Sequence, residues 1–123
     1  MRGHVLIVED SALVASAMRI LLEDAGHSVT EAGSVAAAVE AVAHSSRVPD
    51  VALLDLTLPD GDGLAVLHRL REIGREPRVA VAVTGRDDSD VRARCLAAGC
   101  RDVLLKPVPA RELSRLVTGW MTA

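Results

Sequence analysis

The sequence predicts an α/β protein, a doubly wound three-layer sandwich in which a five-stranded parallel sheet lies between five helices. The main observation is that short apolar runs alternate strictly with segments whose apolar residues follow helical spacing. The chain has 123 residues, near the common size for a single hydrophobic core. Polar residues stand at the ends of several runs, where an open parallel sheet places its ligand crevice. We therefore expect one domain over residues 1–123.

The first strand is predicted at Val5–Val8, and the segment after it has the signals of a helix. Ser11 can accept a hydrogen bond as the N-cap, and Gly26 stands where a C-terminal cap belongs. Four apolar residues follow helical spacing in this segment: Val14, Met18, Leu21 and Leu22. A weak second strand is predicted at Ser28–Ala32.

The middle of the chain repeats this pattern. Ser34 opens an Ala- and Val-rich helix predicted from Val35 to His44, which ends before the turn at Pro49. The third strand is the apolar run Val51–Leu54, and the next helix is predicted from Gly63 to Ile73. Its apolar stripe at helical spacing is Leu64, Leu67, Leu70 and Ile73.

The last third begins at Pro77, which ends the helical pattern before the strand Val79–Val83. Asp87, Asp88 and Ser89 are predicted to cap a helix that ends at Ala98, and the fifth strand is Val103–Leu105. The final helix is predicted to start near Pro109 and to have a wide apolar face. The residues on that face are Leu113, Leu116, Val117, Trp120 and Met121.

Isolated residues that could carry chemistry are assigned structural roles. Trp120, the only aromatic residue, is predicted to pack in the core rather than anchor a partner. Cys95 and Cys100 do not form a Cys-x-x-Cys pair and are expected to be buried or half-buried free thiols. The histidines lack zinc-ligand spacing and are interpreted as surface residues without a role: His4, His27, His44 and His68.

Composition and motifs exclude several function classes. The net charge is −3 with the charges interspersed, so no electrostatic footprint for nucleic acid or an anionic membrane is expected. No apolar run approaches a membrane span and the N-terminal residues lack the apolar segment of a signal peptide, so a cytoplasmic location is expected. Neither a Gly-x-Gly-x-x-Gly motif nor a Walker-type loop is present, which disfavours direct nucleotide binding.

Polar side chains at four predicted strand ends indicate one site. Glu9 and Asp10 follow the first strand, Asp55 the third, Thr84 the fourth and Lys106 the fifth. Because the carboxyl ends of parallel strands meet at one edge of the sheet, we expect these groups to converge. Three clustered carboxylates repel one another and supply the hard oxygen ligands that Mg²⁺ prefers. An Asp can then accept a phosphoryl group, with a hydroxyl and an ammonium group neutralising its oxygens.

The chain resembles the receiver domain of two-component response regulators over essentially its whole length. The matching groups are Glu9-Asp10, Asp55-Leu56-Thr57-Leu58-Pro59-Asp60-Gly61-Asp62-Gly63, Thr84-Gly85, and Ala98-Gly99-Cys100-Arg101-Asp102 leading into Lys106-Pro107. Each group is weak evidence alone, but their order and spacing together are specific. The resemblance implies a flavodoxin-like sheet of strand order 2-1-3-4-5 and a signalling protein that catalyses only its own phosphorylation and dephosphorylation.

The resemblance also implies roles for the residues of the metal site. Asp55 would be the phosphoacceptor, and Asp10 would ligate Mg²⁺ directly. Glu9 would act mainly through a metal-bound water, and the backbone carbonyl of Thr57 would complete the set. Asp60 and Asp62 are assigned to turn chemistry around the neighbouring glycines rather than to metal binding.

Further implied roles concern switching. Lys106 would bridge the carboxylate and then the phosphate, and Thr84 would follow the phosphoryl group by a short inward shift. Receivers usually have an aromatic residue three positions before the lysine, where this chain has Val103, so the usual aromatic readout cannot operate. Thr57 and Arg86 occupy positions that flank the route of attacking water and are expected to set the phosphoryl lifetime.

The leading hypothesis is a receiver that takes its phosphoryl group from a histidine kinase or phosphotransfer protein and then switches its binding to a target protein or output domain. A receiver-like interaction module that is not phosphorylated is an alternative, favoured by Val103. A Mg²⁺-dependent phosphohydrolase is a third class, opposed by Thr57 at the place of a second general acid. Homodimerisation, and whether the chain acts alone or belongs to a longer protein, stay open.

Overall fold

The structure is a computed structural model that describes residues 3–86 and 88–122. Within these residues, five strands and five helices alternate. In chain order they are β1 (His4–Val8), α1 (Ala12–Asp24), β2 (Ser28–Ala32), α2 (Val35–Ala43), β3 (Val51–Asp55), α3 (Gly63–Glu72), β4 (Val79–Thr84), α4 (Ser89–Ala97), β5 (Asp102–Leu105) and α5 (Ala110–Met121). Asp87, which is predicted to help cap α4, lies outside the described residues.

The strands form one parallel sheet in the order β2-β1-β3-β4-β5, which confirms the predicted fold class and strand order. The order reverses between β1 and β3, because the chain first adds β2 on one side of β1 and then crosses to the other. Val8 of β1 is in register with Leu54 of β3, so Glu9 and Asp55 leave the sheet side by side. The crevice of an open parallel sheet lies at this switch point.

Two hydrophobic layers hold the helices on opposite faces of the sheet. Alternate residues of a strand point to opposite faces, so Leu6 faces α2, α3 and α4 while Ile7 faces α1 and α5. The central strands β3 and β4 are buried along their whole length, which explains their continuous apolar sequence. Trp120 is 8% exposed and packs in the second layer, as predicted.

Local capping chemistry sets most helix boundaries, as the sequence predicts. Ser11 accepts a hydrogen bond from the Val14 N–H, Ser34 from the Ala37 N–H and Asp88 from the Val91 N–H, which begins α1, α2 and α4. Gly26 and Gly99 have φ angles of 97° and 104° just after α1 and α4, a conformation that favours glycine. Three helices end one residue earlier than predicted, and the residues concerned are C-caps: His44, Ile73 and Ala98.

Burial departs from the sequence patterns at three positions. Val14 and Ile73 belong to apolar stripes at helical spacing but are 41% and 46% exposed, since the buried residues of α1 are Ala15 and Leu22 and Ile73 is the C-cap of α3. His27, interpreted as a surface histidine, is 4% exposed, and its Nε2 atom lies 3.3 Å from the Thr118 hydroxyl.

The two thiols follow the prediction. Cys95 and Cys100 are both buried and free. Burial raises the pKa of Cys100 to about 11 and also raises the pKa of Cys95. Thiols in such an environment stay protonated at neutral pH and are poor nucleophiles.

Candidate functional site

Three carboxylates meet at the carboxyl ends of β1 and β3. Glu9 and Asp10 follow β1 directly, and Asp55 is the last residue of β3. One carboxylate oxygen from each of the three lies within 4.8 Å of those of the other two. Glu9 and Asp55 are buried, whereas Asp10 is exposed. Because two of the three negative charges are largely removed from water, the cluster needs a positive charge close by.

Lys106 supplies that positive charge. Its Nζ atom lies 2.7 Å from Glu9 Oε1 and 3.2 Å from Asp55 Oδ2. Its backbone N–H donates to the Thr84 carbonyl at 2.8 Å, which continues the pairing of β4 with β5 and sets the point at which Lys106 leaves the sheet. The peptide bond between Lys106 and Pro107 is cis. Lys106 is the only lysine in the 123-residue sequence, and its compact ammonium group stands at the acidic cluster.

The protonation equilibria of Glu9 and Lys106 reflect this contact. Burial raises the pKa of Glu9, and the hydrogen bond from Lys106 opposes that shift without cancelling it. For Lys106, burial acts to lower the pKa, but the hydrogen bonds to Glu9 and Asp55 outweigh it and raise the pKa. Lys106 is therefore cationic at neutral pH and able to pair with negative charge at the site.

Thr84 is the last residue of β4 and lies beside the cluster with its side chain buried. Its hydroxyl oxygen accepts a hydrogen bond of 3.1 Å from the backbone N–H of Arg86. The Arg86 side chain is 76% exposed and pairs with Asp88 Oδ2 at 2.6 Å. In this structure the Arg86 guanidinium group thus contacts the N-cap of α4.

The loop after Asp55 leaves β3 and returns against it. The backbone N–H of Thr57 donates to Asp55 Oδ1 at 3.0 Å, which orients the carboxylate. Leu58 and Gly61 exchange backbone hydrogen bonds of 3.0 and 3.3 Å and close a tight turn. At Gly63 an ideal Cβ would lie 2.0 Å from the Asp55 carbonyl oxygen, so only glycine allows α3 to begin this close to β3.

The donor set fits a hard divalent cation. Three carboxylate oxygens within a few ångströms, at the mouth of a crevice, are the ligands that Mg²⁺ takes while it retains several waters. Glu9 already accepts hydrogen bonds at both oxygens, at Oε1 from Lys106 and at Oε2 from the Ser11 N–H at 3.1 Å. Asp10 is the exposed member of the cluster, so its carboxylate is open to an ion from solvent.

Two aspartates of the same loop make contacts that the sequence did not predict. Asp60, assigned to a local turn, accepts hydrogen bonds from the backbone N–H groups of Val35 and Ala36 at 2.8 and 3.0 Å. These contacts hold the pKa of Asp60 below its ordinary value. Asp62 caps α3 by accepting from the Leu64 N–H at 2.8 Å and forms an ion pair with Arg94 of α4. The sequence signal for both was limited to the general preference of Asp for helix N-termini.

The residue that replaces the usual aromatic packs in the core. Val103 is 3% exposed and belongs to the layer that contains Val91 and Cys95 of α4. Its position in β5 is in register with Ala82 of β4. A small aliphatic side chain at this point has no ring that could rotate between buried and exposed positions.

The described residues include no helix with the length and hydropathy needed to cross a membrane.

Comparison with known proteins agrees with the resemblance. Residues 5–118 match the family model of the response regulator receiver domain. The transcriptional regulatory protein PhoP of Escherichia coli K12 is 34% identical over 110 residues, which is 89% of this chain and 48% of PhoP. The chain thus spans about half the length of the curated relatives it matches.

Solved structures agree in fold. The receiver domain of a sensor histidine kinase from Pseudomonas aeruginosa PAO1, described with a magnesium ion in its active site cleft, superimposes with a TM-score of 0.85 at 27% identity over 100% of both chains. A CheY-like receiver domain from Methanospirillum hungatei has a TM-score of 0.87 at 23% identity, covering 99% of this chain and 95% of its own, and shows the fold alone.

Proposed function

This chain belongs to the response regulator receiver domain family, and from that premise we propose that Asp55 accepts a phosphoryl group in a Mg²⁺-dependent reaction. The observation that carries the proposal is the convergence of Asp55 with two further carboxylates and the single lysine at one strand edge. In the transfer, a carboxylate oxygen of Asp55 forms a bond to phosphorus. The bond from phosphorus to a donor nitrogen breaks, and the electron pair stays on the donor imidazole.

The residues of this chain have distinct tasks in that step. Mg²⁺ would be held by Asp10, Asp55 and the backbone carbonyl of Thr57, with Glu9 outside them, and would supply positive charge to the phosphoryl oxygens. Lys106 already lies 3.2 Å from Asp55 Oδ2, so it can pair with the phosphoryl oxygens once the carboxylate has become an acyl phosphate. Thr84 carries a hydroxyl donor whose oxygen now accepts from a backbone N–H, and its proton is free to turn toward an incoming oxygen.

We extend the proposal to switching and lifetime. Thr84 is the switching residue, and Val103 replaces the aromatic partner, so the readout passes through α4 and β5 without rotation of a ring. Thr57 and Arg86 tune hydrolysis of the aspartyl phosphate. The pairing of Arg86 with Asp88 supports a role at the start of α4, from which the side chain could be drawn toward a phosphoryl group.

The partners follow from the chemistry. The donor is a phosphohistidine on a histidine kinase or phosphotransfer protein, and the acceptor of the signal is a target protein or an output domain. The chain acts as a signalling domain over residues 1–123 in the cytoplasm, with catalysis limited to its own phosphorylation and dephosphorylation. Homodimer formation is a further output that we propose for the same switch.

The second candidate, an interaction module that is not phosphorylated, is favoured by one observation, the replacement of the aromatic residue by Val103. The two candidates differ in a measurable covalent product. We would incubate the protein with acetyl phosphate and MgCl₂ and measure its intact mass. Parallel samples are Asp55→Asn, the wild type in EDTA, and Asp24→Asn, which removes an exposed acid at the end of α1.

A gain of one phosphoryl group by the wild type and Asp24→Asn, but not by Asp55→Asn or in EDTA, is the expected result. No adduct with acetyl phosphate or with a cognate kinase would contradict the proposal and favour the interaction module. A second readout uses the single lysine: lysine labelled with ¹³C at Cε gives one protein signal, from Lys106. That signal should shift when beryllofluoride and Mg²⁺ are added, and it should not shift in Asp55→Asn.

A further inference from the structure

Asp60 makes a contact that a turn residue does not need. Its two carboxylate oxygens accept hydrogen bonds from the backbone N–H groups of Val35 and Ala36, 25 and 24 residues away in sequence. The first turn of a helix has N–H groups without partners inside the helix, and a carboxylate there gains from both the hydrogen bonds and the helix dipole. Asp60 therefore ties the loop after β3 to the start of α2.

The loop on one side of this tie directly follows the proposed phosphoacceptor. Between Asp55 and Gly63 the chain is held at both ends, by the Thr57 N–H bond to Asp55 and by the close approach of Gly63 to the Asp55 carbonyl. Asp60 lies between these ends, in the turn that Leu58 and Gly61 close with their backbone hydrogen bonds. Its contact with α2 is a third attachment of the loop.

The segment on the other side of the tie is fastened to the other two carboxylates. The backbone N–H of Glu9 donates to the Ala32 carbonyl at 2.9 Å, which joins the end of β2 to the residue that follows β1. Gly33 passes beside the Glu9 carbonyl, with an ideal Cβ 3.9 Å from that oxygen, and α2 begins at Val35. A continuous path therefore runs from Glu9 through the start of α2 and Asp60 to the loop after Asp55.

We propose that Asp60 is a positioning residue for the metal site, because it sets the distance between the loop after Asp55 and the loop that bears Glu9 and Asp10. A metal held by both loops needs that distance to be maintained. Loss of the Asp60 carboxylate leaves each carboxylate of the site in place on its own strand end, but the loop that presents the Thr57 carbonyl is then held only at its two ends. The expected defect is weaker Mg²⁺ binding rather than loss of phosphoacceptor chemistry. This inference rests on the proposed function.

Ser34 provides a matched control, since its hydroxyl caps the same helix without touching the loop. It accepts a hydrogen bond of 3.0 Å from the Ala37 N–H. Ser34→Ala and Asp60→Ala each remove side-chain acceptors from the start of α2, and both should lower the melting temperature in EDTA. Only Asp60→Ala removes the tie between the two loops. Asp60→Asn keeps one carbonyl acceptor and should lie between Asp60→Ala and the wild type.

The experiment is a titration of MgCl₂ into each protein by calorimetry, well below every melting temperature, with the ¹³C signal of Lys106 as a second measure of binding. We expect Asp60→Ala to raise the Kd for Mg²⁺ by at least about threefold, less than the roughly tenfold or greater effects of groups bonded directly to metal ligands. Ser34→Ala should bind like the wild type.

The outcomes separate the two proposals. Wild-type affinity for Mg²⁺ in Asp60→Ala would overturn the positioning role while leaving the proposed function intact. Weaker binding in both variants to the same degree would also overturn it, because the effect would then follow the stability of α2. A wild-type protein that binds no Mg²⁺ would overturn the metal-dependent function and this inference with it.

Discussion

Replacing Lys106 by methionine removes the only described positive charge within 4 Å of the buried carboxylates while keeping a side chain of similar length. In the structure Lys106 Nζ lies 2.7 Å from Glu9 Oε1 and 3.2 Å from Asp55 Oδ2. The side chains of Glu9 and Asp55 are 5% and 8% exposed, and that of Lys106 is 31% exposed. The substitution therefore leaves two buried negative charges without their partner, which is the costly way to break an ion pair.

The magnitude follows from these distances. At an effective dielectric constant of about 20, the two attractions come to about 6 and 5 kcal/mol before the cost of removing the ammonium group from water is subtracted. Removing one partner of a fully buried pair costs about 3–5 kcal/mol. Because Lys106 is partly exposed and water can screen the remaining charges, we expect the free energy of unfolding to fall by about 2–3 kcal/mol without metal.

Urea unfolding of the wild type and Lys106→Met in EDTA measures this loss. Arg111→Met is the control, since it removes an exposed charge from the first turn of α5 and should change stability by less than about 0.5 kcal/mol. In excess MgCl₂ the difference between Lys106→Met and the wild type should shrink, because a bound cation neutralises the same carboxylates. Mg²⁺ should therefore stabilise Lys106→Met more than it stabilises the wild type.

Two results would contradict the proposed pairing of Lys106 with the carboxylates. If Lys106→Met were as stable as the wild type in EDTA, the lysine would not neutralise the cluster. If the difference were the same in EDTA and in Mg²⁺, metal and lysine would not act on the same charges. A double-mutant cycle with Glu9→Gln tests the contact itself, with an expected coupling of about 1 kcal/mol or more.

Three further predictions use matched residues elsewhere in the chain. Burial lowers the pKa of His27, so the folded state favours the neutral imidazole. The contribution of His27 to the free energy of unfolding should be fully present above the unfolded pKa of about 6.5 and be lost as the pH falls through the lower folded pKa. His27→Gln should therefore flatten the dependence of the unfolding free energy on pH, measured by urea unfolding at several pH values in this range. Gly63→Ala places a Cβ 2.0 Å from the carbonyl oxygen of the proposed phosphoacceptor and should destabilise the protein by more than about 2 kcal/mol. Gly119→Ala in α5, where a Cβ would have no neighbour within 4 Å, should stabilise the protein by about 0.5–1 kcal/mol. Thermal melts in which Gly119→Ala is the less stable variant would contradict this packing. Cys95 and Cys100 are buried and have raised pKa values. A thiol reagent at neutral pH should therefore label neither cysteine in the folded protein and both in urea. Rapid labelling without urea would show that α4 opens readily.

Elements that depend on neighbouring residues could be predicted from the sequence. Ser11 and Ser34 cap helices because the bonded N–H is three residues away, so the signal lies within one turn. The run Val51–Leu54 predicts a buried central strand because such a strand has apolar residues on both faces. The alternation of these local signals was sufficient for the fold class, since parallel strands need crossover helices.

The site was predictable for a related reason. Asp55 and Thr84 end their strands, and all carboxyl ends in a parallel sheet point the same way, so residues far apart in sequence converge without further information. The resemblance to receiver domains added a role for each group. The direction of the strands does not give the distances between side chains at their ends. Those distances decide that Lys106 contacts Glu9 as well as Asp55.

Contacts between layers required the tertiary structure. Which side of α1 faces the sheet is ambiguous when apolar residues surround the helix, and the structure buries Ala15 while leaving Val14 exposed. The burial of His27 depends on α5, which is distant in sequence, through the contact with Thr118.

Asp60 shows the division most clearly. By itself the sequence determined that this aspartate stands in a turn after the third strand, because turn and cap preferences act over a few residues. Only the tertiary structure decided that its carboxylate reaches the first N–H groups of α2. That contact depends on β2 and β3 being the two neighbours of β1 and on where α2 begins, and this arrangement results from the pairing of the whole sheet rather than from any local pattern.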